Sequence, residues 1–342
     1  MSTRAFITGV SGPELNAAER EFIRSARPWG FILFKRNIET PTQVIHLVRE
    51  LRKELAEPEA PVLIDQEGGR VQRFGPPHWP VYPAGAVFGR LYDIDPPLGL
   101  TAARLSARLI AADLNDLGID VDCLPLADVP VAGADAVIGN RAYGTEPSKV
   151  AAIARAVTEG LEQGGVLPVL KHIPGHGRAT ADTHFRLPEV DTSKAELERT
   201  DFAAFQPLAD LPMAMTAHVV FSALDPAHPA TTSATIIRQV IRGVIGFQGL
   251  LMSDDVSMNA LAGSIAERTR AILAAGCDMV LHCNGKLDEM REVARETPEL
   301  SGKALERARW ALASRKAPQP FDRLKARAEL DALVDRAGTV GA

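Results

Sequence analysis

The chain has 342 residues, 46% hydrophobic and 24% charged, enough for one large α/β barrel or for two ordinary domains. A formal net charge of -5 argues against a nucleic-acid partner, and 5% aromatic residues argue against broad stacking platforms. The first apolar run is too short for a signal-peptide core and no stretch reaches the length of a membrane span, so the sequence reads as soluble and cytoplasmic, with no membrane partner.

Short apolar runs bounded by turn residues alternate with segments of helical periodicity. Ala5 to Val10 is the first expected strand, followed by an amphipathic segment from Pro13 to Ala26. Phe31 to Phe34 leads to a helix from Pro41 to Leu55, with Pro41 suited to a first turn. Pro61 to Ile64 ends at Asp65, and a Pro- and Gly-rich excursion from Phe74 to Gly85 separates it from a long helix, Leu98 to Leu117. Ile119 to Leu126 runs into a polar loop with Asn140, Arg141 and Gly144, then a helix from Ser148 to Gln163. Val166 to Lys171, Met213 to Val220, Gly249 to Ser253 and Asp278 to His282 complete the strands, with helices expected over Ala234 to Val244 and Ile265 to Ala275.

Eight such alternations predict a single (β/α)8 barrel spanning 1–342 rather than a doubly wound sheet, with extra helices from Leu300 on and fraying after about Leu330. Cys123, Cys277 and Cys283 lie at or near apolar runs and are odd in number, which fits buried thiols of a reducing compartment better than a disulfide framework. A parallel barrel places its chemistry at the C-terminal ends of its strands. Asp65, Asp128, Lys171, His172, His218, Asp254 and Asn284 all stand at such ends and should converge on one face.

The stretch from Lys171 to His184 holds three histidines together with Asp182, Pro174, Gly175 and Gly177. His172, His176 and His184 with Asp182 have the chemistry of metal ligands, but the proline and glycines forbid the helix on which paired zinc histidines sit, so neither metal nor cofactor is expected. Asp182 and His184, two apart, can meet across a turn. A carboxylate on one ring nitrogen raises the imidazole pKa and suits a group that first gives and then takes a proton; a loop-stabilising hydrogen bond is the plainer alternative. Of Asp254 and Asp255, successive residues of a strand, only one should face the barrel mouth, where a carboxylate can attack an acetal carbon. Asp255 has the alternative of capping the next helix. The turn from Gln66 to Arg73 matches neither phosphate-binding pattern, so Asp65 and its arginines read as partners for substrate hydroxyls, with ion-paired scaffolding as an equal fate for Arg70.

Several motifs together resemble glycoside hydrolase family 3, specifically its single-domain bacterial β-N-acetylglucosaminidases of cell-wall recycling. They are Ile64 to Arg73, Asn140 to Gly144, Lys171 to Gly177, Asp182 with His184, Met215 to His218, Phe247 to Gly249 with Ser253 to Asp255, and Ala275 to Asp278. The resemblance implies that Asp254 is the nucleophile, that His184 paired with Asp182 is the general acid/base, and that Asp65, Arg73, Arg141, Lys171 and His172 bind the terminal sugar. It further implies a monomer acting on a small glycan, a muropeptide-derived disaccharide. Ile173, Thr183 and Tyr143 depart from the commoner Phe, Ser and Phe without removing a chemical group. A β-glucosidase or β-xylosidase of the same family, or a silent sugar-binding barrel, are the competing readings.

Overall fold

The computed structural model describes residues 2–179 and 187–339. Among the described residues, eight parallel strands close into a barrel: β1 (Arg4–Thr8), β2 (Pro28–Leu33), β3 (Val62–Ile64), β4 (Val121–Asp122), β5 (Leu167–Ile173), β6 (Met213–Thr216), β7 (Leu250–Asp255) and β8 (Met279–His282). Neighbours in sequence are neighbours in the barrel, and β8 closes on β1 with Phe6 opposite Val280. Parallel neighbours need a crossover, which the intervening helices supply.

The side-chain period of two splits the strands into two apolar layers. Ile7, Ile32, Leu63, Val121, Val169, Met213, Met252 and Leu281 pack as one cluster, the barrel interior. Their neighbours Phe6, Phe31, Val62, Leu170, Ala214, Leu251 and Val280 belong to the other, against the helices. Each such side chain is essentially buried, and taking each of the larger ones, all but Ala214, from water stabilises the fold by about 1.5–3 kcal/mol. Ala308 and Ala311 of the helix Gly302–Ala313 join the interior cluster together with Trp29 and Leu300.

Several helices lie where periodicity and capping put them. Pro41–Leu55 begins at its proline behind Thr40, whose hydroxyl accepts from Gln43 N, and Ile265–Ala275 begins behind a Ser264–Glu267 capping box. Other boundaries move. The first helix is Ala17–Ala26, because Asn16 and Glu19 form a capping box that starts the helix there instead of at Pro13. The strand expected over Ile119 to Leu126 shrinks to Val121–Asp122; Pro125 has no N–H for a ladder, although the carbonyls of Leu124 and Pro125 still accept from Val169 N and Lys171 N and a bridge forms at Leu126 opposite Lys171. The excursion after Phe74 leads into an unexpected helix, Gly85–Ile94, ahead of Pro96–Asp116. The last helix, Arg323–Thr339, packs on Pro96–Asp116 and buries Leu330, Leu333 and Ala337. Among the described residues, no helix is long and apolar enough to cross a membrane.

Candidate active site

Period-two placement carries polar residues onto the interior layer. Leu63 is an interior residue, and two positions on stands Asp65; Val169 is followed in the same way by Lys171, and Met252 by Asp254. All three line a cavity of about 310 Å³ at the C-terminal ends of the strands, whose wall also includes Ile32, Met215 and Leu281. Arg70, Arg73, Arg141, His172, His176 and Asp255 complete its polar lining.

One side of the cavity is an ion cluster. The short antiparallel hairpin Gln66–Gly68 with Val71–Gln72 turns through Gly68 (φ +93) and Gly69 (φ +58), a left-handed pair that side-chain-bearing residues adopt only at a cost. Gln66 Oε1 accepts from the backbone N–H groups of Arg73 (2.9 Å) and Phe74 (3.0 Å), which fixes where Arg73 begins. Arg73 Nη2 donates to Asp65 Oδ2 (2.9 Å), and Lys171 Nζ donates to Asp65 Oδ1 (2.8 Å). Lys171 Nζ also lies 2.7 Å from Glu67 Oε1, and Arg141 grips the same carboxylate through Nε (2.8 Å) and Nη2 (2.7 Å).

Burial by itself would raise Asp65 and Glu67. Lys171 and Arg73 outweigh it at Asp65 and hold its carboxyl far below the usual range, while Arg141 and Lys171 hold Glu67 at about 2. Burial would lower the Lys171 amine, and Asp65 and Glu67 reverse that and raise it. The cluster is therefore fully ionised at neutral pH.

His172 and His176 form the next part of the wall. Asp128, fully buried, takes His172 Nδ1 at 2.8 Å and the His176 N–H at 2.7 Å. Despite its burial, the two histidines hold its carboxyl at about 2, so Nδ1 donates and Nε2 is left to meet a ligand. Burial, followed by the neighbouring His172, lowers His176 to about 4 and keeps its ring neutral at neutral pH. Its Nδ1 is buried without a hydrogen-bond partner among the described residues.

Opposite stand the two aspartates. Asp254 is 8% exposed, accepts from Asp255 N at 2.8 Å, and has no ion pair among the described residues. Both aspartates line the cavity, where only one was expected; the pairing of β7 with β8 shifts register between Met252 and Asp255, which breaks strict alternation. Asp255 nevertheless has both oxygens engaged, Oδ1 by the N–H groups of Ser257 (3.0 Å) and Cys283 (3.1 Å) and Oδ2 by the Ser257 hydroxyl (2.6 Å).

Three strand-end residues do not reach the cavity. Asp128 stands behind His172. His218 lies beneath the aspartates, its Nε2 donating to Asp255 O at 3.0 Å, because β6 ends at Thr216 and the chain has turned by then. Asn284 turns away to Glu289 at 2.6 Å. Arg70 sits on the rim and donates to the carbonyls of Ala136 (3.0 Å) and Val137, so its scaffold partner is backbone and not a carboxylate. Asp182 and His184 lie outside the described residues. The segment leading to them is anchored by Arg178, whose Nε donates to the buried Asp201 at 2.6 Å, and by Ala179 O, which accepts from Asp135 N at 2.8 Å. Glu67 was missed by the reading of the sequence as a site residue; its signal was the run of two carboxylates at Asp65 and Glu67, which in a barrel mouth needs buried cations to match.

The model of the glycosyl hydrolase family 3 N-terminal domain matches residues 6–308. A beta-hexosaminidase of Alkalilimnicola ehrlichii is 39% identical over 280 residues, covering 81% of this chain and 79% of that protein. A beta-hexosaminidase of Bordetella avium is 36% identical over 323 residues, covering 93% and 90%. The crystal structure of NagZ from Neisseria gonorrhoeae in complex with N-trifluoroacetyl-D-glucosamine superposes with a TM-score of 0.88 at 33% identity, covering 98% of this chain and 99% of the other. With a closed parallel barrel, an ionised polar cluster facing a carboxylate across its mouth, and a family match over most of its length, the chain belongs to glycosyl hydrolase family 3.

Proposed function

We propose that the chain is a retaining exo-β-N-acetylglucosaminidase, a β-N-acetylhexosaminidase that removes terminal β-linked N-acetylglucosamine. The observation that carries this is Asp254, a carboxylate free of any ion pair among the described residues, placed across the cavity from an ionised cluster of hydrogen-bonding groups. The beta-hexosaminidase relatives and the glucosamine derivative bound in the gonococcal structure support an N-acetylated sugar. Within this reading Asp65, Arg73, Arg141, Lys171 and His172 hold the sugar. Asp65 accepts from hydroxyls, and the cations and His172 Nε2 address its oxygens.

The chemistry follows from charge and geometry. Asp254 attacks the anomeric carbon while the bond to the leaving oxygen breaks and that oxygen takes a proton; the glycosyl-enzyme is then opened by water with retention. We assign the proton to His184, oriented by Asp182, on the resemblance of their motif. Histidine in place of a second carboxylate puts less negative charge beside Asp254. Asp255 is a poor substitute as nucleophile, because both of its oxygens are already engaged. The natural substrate of this reading is an N-acetylglucosaminyl-1,6-anhydro-N-acetylmuramic acid, with or without peptide, met by a cytoplasmic monomer in cell-wall recycling.

Trapping with a 2-fluoro sugar followed by peptide mapping tests the nucleophile: the label belongs on Asp254, and a label elsewhere sinks the assignment. Failure to trap any adduct points to attack by the substrate's own acetamido group. Aryl glycosides with and without that group separate this activity from a β-glucosidase or β-xylosidase, and a chain that binds but cleaves none of them is a sugar-binding barrel.

A further inference from the structure

We propose that Glu67 is the positioning residue of the sugar-binding wall: a carboxylate that does not line the cavity but aims Lys171 and Arg141 into it. Glu67 is absent from the cavity wall, whereas both of its partners are in it. Its side chain is 4% exposed, against 2% for Lys171 and 11% for Arg141, so these contacts are screened little by water. One oxygen is shared by Lys171 Nζ and Arg141 Nη2 at 2.7 Å each, and the other takes Arg141 Nε at 2.8 Å. That bidentate grip fixes the plane of the guanidinium as well as its place.

The three residues arrive from different parts of the barrel: Glu67 from the hairpin after β3, Arg141 from the loop after β4, and Lys171 from β5. A single carboxylate therefore ties three otherwise independent segments together. Asp65 does not do this work. It binds Lys171 and Arg73 but makes no ion pair with Arg141 among the described residues. Without the charge of Glu67, Asp65 is the carboxylate left in ion pairs with Lys171 and Arg73, and among the described residues Arg141 keeps the Val137 carbonyl at 3.1 Å as its hydrogen-bond tether. Truncating one member of a buried charge network leaves the others uncompensated, and they move to find water or a new partner.

The proposal rests on the sugar-binding reading of this site, and the test separates the two. Glu67→Gln keeps the shape and removes the charge. It is expected to lower kcat/KM on an aryl N-acetyl-β-D-glucosaminide by about 100-fold, the scale of a misplacement of about 1 Å, with Glu67→Asp intermediate. In an Arg141→Gln background the same change is expected to cost less than about 10-fold, because its route through Arg141 is already cut. Equal factors in both backgrounds, or a folded Glu67→Gln within about 3-fold of the parent, overturn the proposal. If Glu67→Gln does not fold, Glu67→Asp is read by the same two criteria. A crystal structure of either variant decides the positioning role apart from any activity: Arg141 and Lys171 should leave their places, and finding both unmoved refutes it. A parent that neither cleaves the aryl glycoside nor binds N-acetylglucosamine defeats the sugar-binding reading instead.

Discussion

A buried ion survives only while its partners do, and the cavity wall is made of such ions. Lys171 is 1% exposed and faces Asp65 and Glu67 together. Lys171→Met fills similar space but leaves two carboxylates short of a cation, so unfolding in denaturant should show a loss of about 3–5 kcal/mol. A variant as stable as the parent would mean that Arg73 and Arg141 suffice for both. His176 predicts a pH dependence of the opposite cause. Its ring is held neutral, its pKa pushed down to about 4 from an ordinary value near 6.5, so the unfolded chain binds the proton more readily than the native one. Its contribution is complete above the unfolded value and is lost as pH falls through the window from about 6.5 to about 4, by up to about 3 kcal/mol. Chemical unfolding of the parent and of His176→Gln at stepped pH should show a shallower slope for the variant in that window; parallel slopes would remove His176 as its source.

At the scale of elements, the helix Gly85–Ile94 shows where sequence reading stops. Its glycines look like loop residues, since glycine in a helix costs about 1 kcal/mol relative to alanine. They are there because the chain that follows β4 crosses against them: a Cβ at Gly85 would run into the carbonyl of Arg141, and one at Gly89 into that of Tyr143. That is a long-range contact, and no local pattern announces it. Ile265–Ala275 was legible to the residue because its signals, a capping box and an apolar period, are local. Asp65, Lys171 and Asp254 were legible for a related reason: strand period and strand end are both local, and the barrel does the rest. His218 and Asn284 failed because their strands had already ended. Gly85→Ala gives this a test. Propensity alone predicts a slight gain in stability, whereas the collision predicts a displaced Arg141, a lower melting temperature, and kcat/KM reduced by about 10-fold or more. An unchanged or more stable, fully active variant would show that the loop yields freely.

On the scale of the whole molecule, the two apolar layers separate stability from the proposed chemistry. The interior layer meets the helix Gly302–Ala313 and carries the polar cluster at its strand ends, while the outer layer meets the surrounding helices and has no side chain in the cavity's polar lining. Eight strands of two parities were enough to foresee that division, but not the way the chain's end reinforces it. Arg323–Thr339 lies against Pro96–Asp116, and Leu330 is fully buried in the outer layer, where the sequence allowed fraying to begin. Leu330→Ala should therefore cost about 2–5 kcal/mol by denaturant unfolding, as a large-to-small change in a packed interface does. Because no described side chain of that helix lines the cavity, kcat and KM of the folded variant should stay within about 2-fold of the parent, well under the effect expected of a misplaced binding group. A large loss of activity at undiminished folding would mean that the outer layer transmits strain to the barrel mouth, and that stability and chemistry are not separated between the two layers.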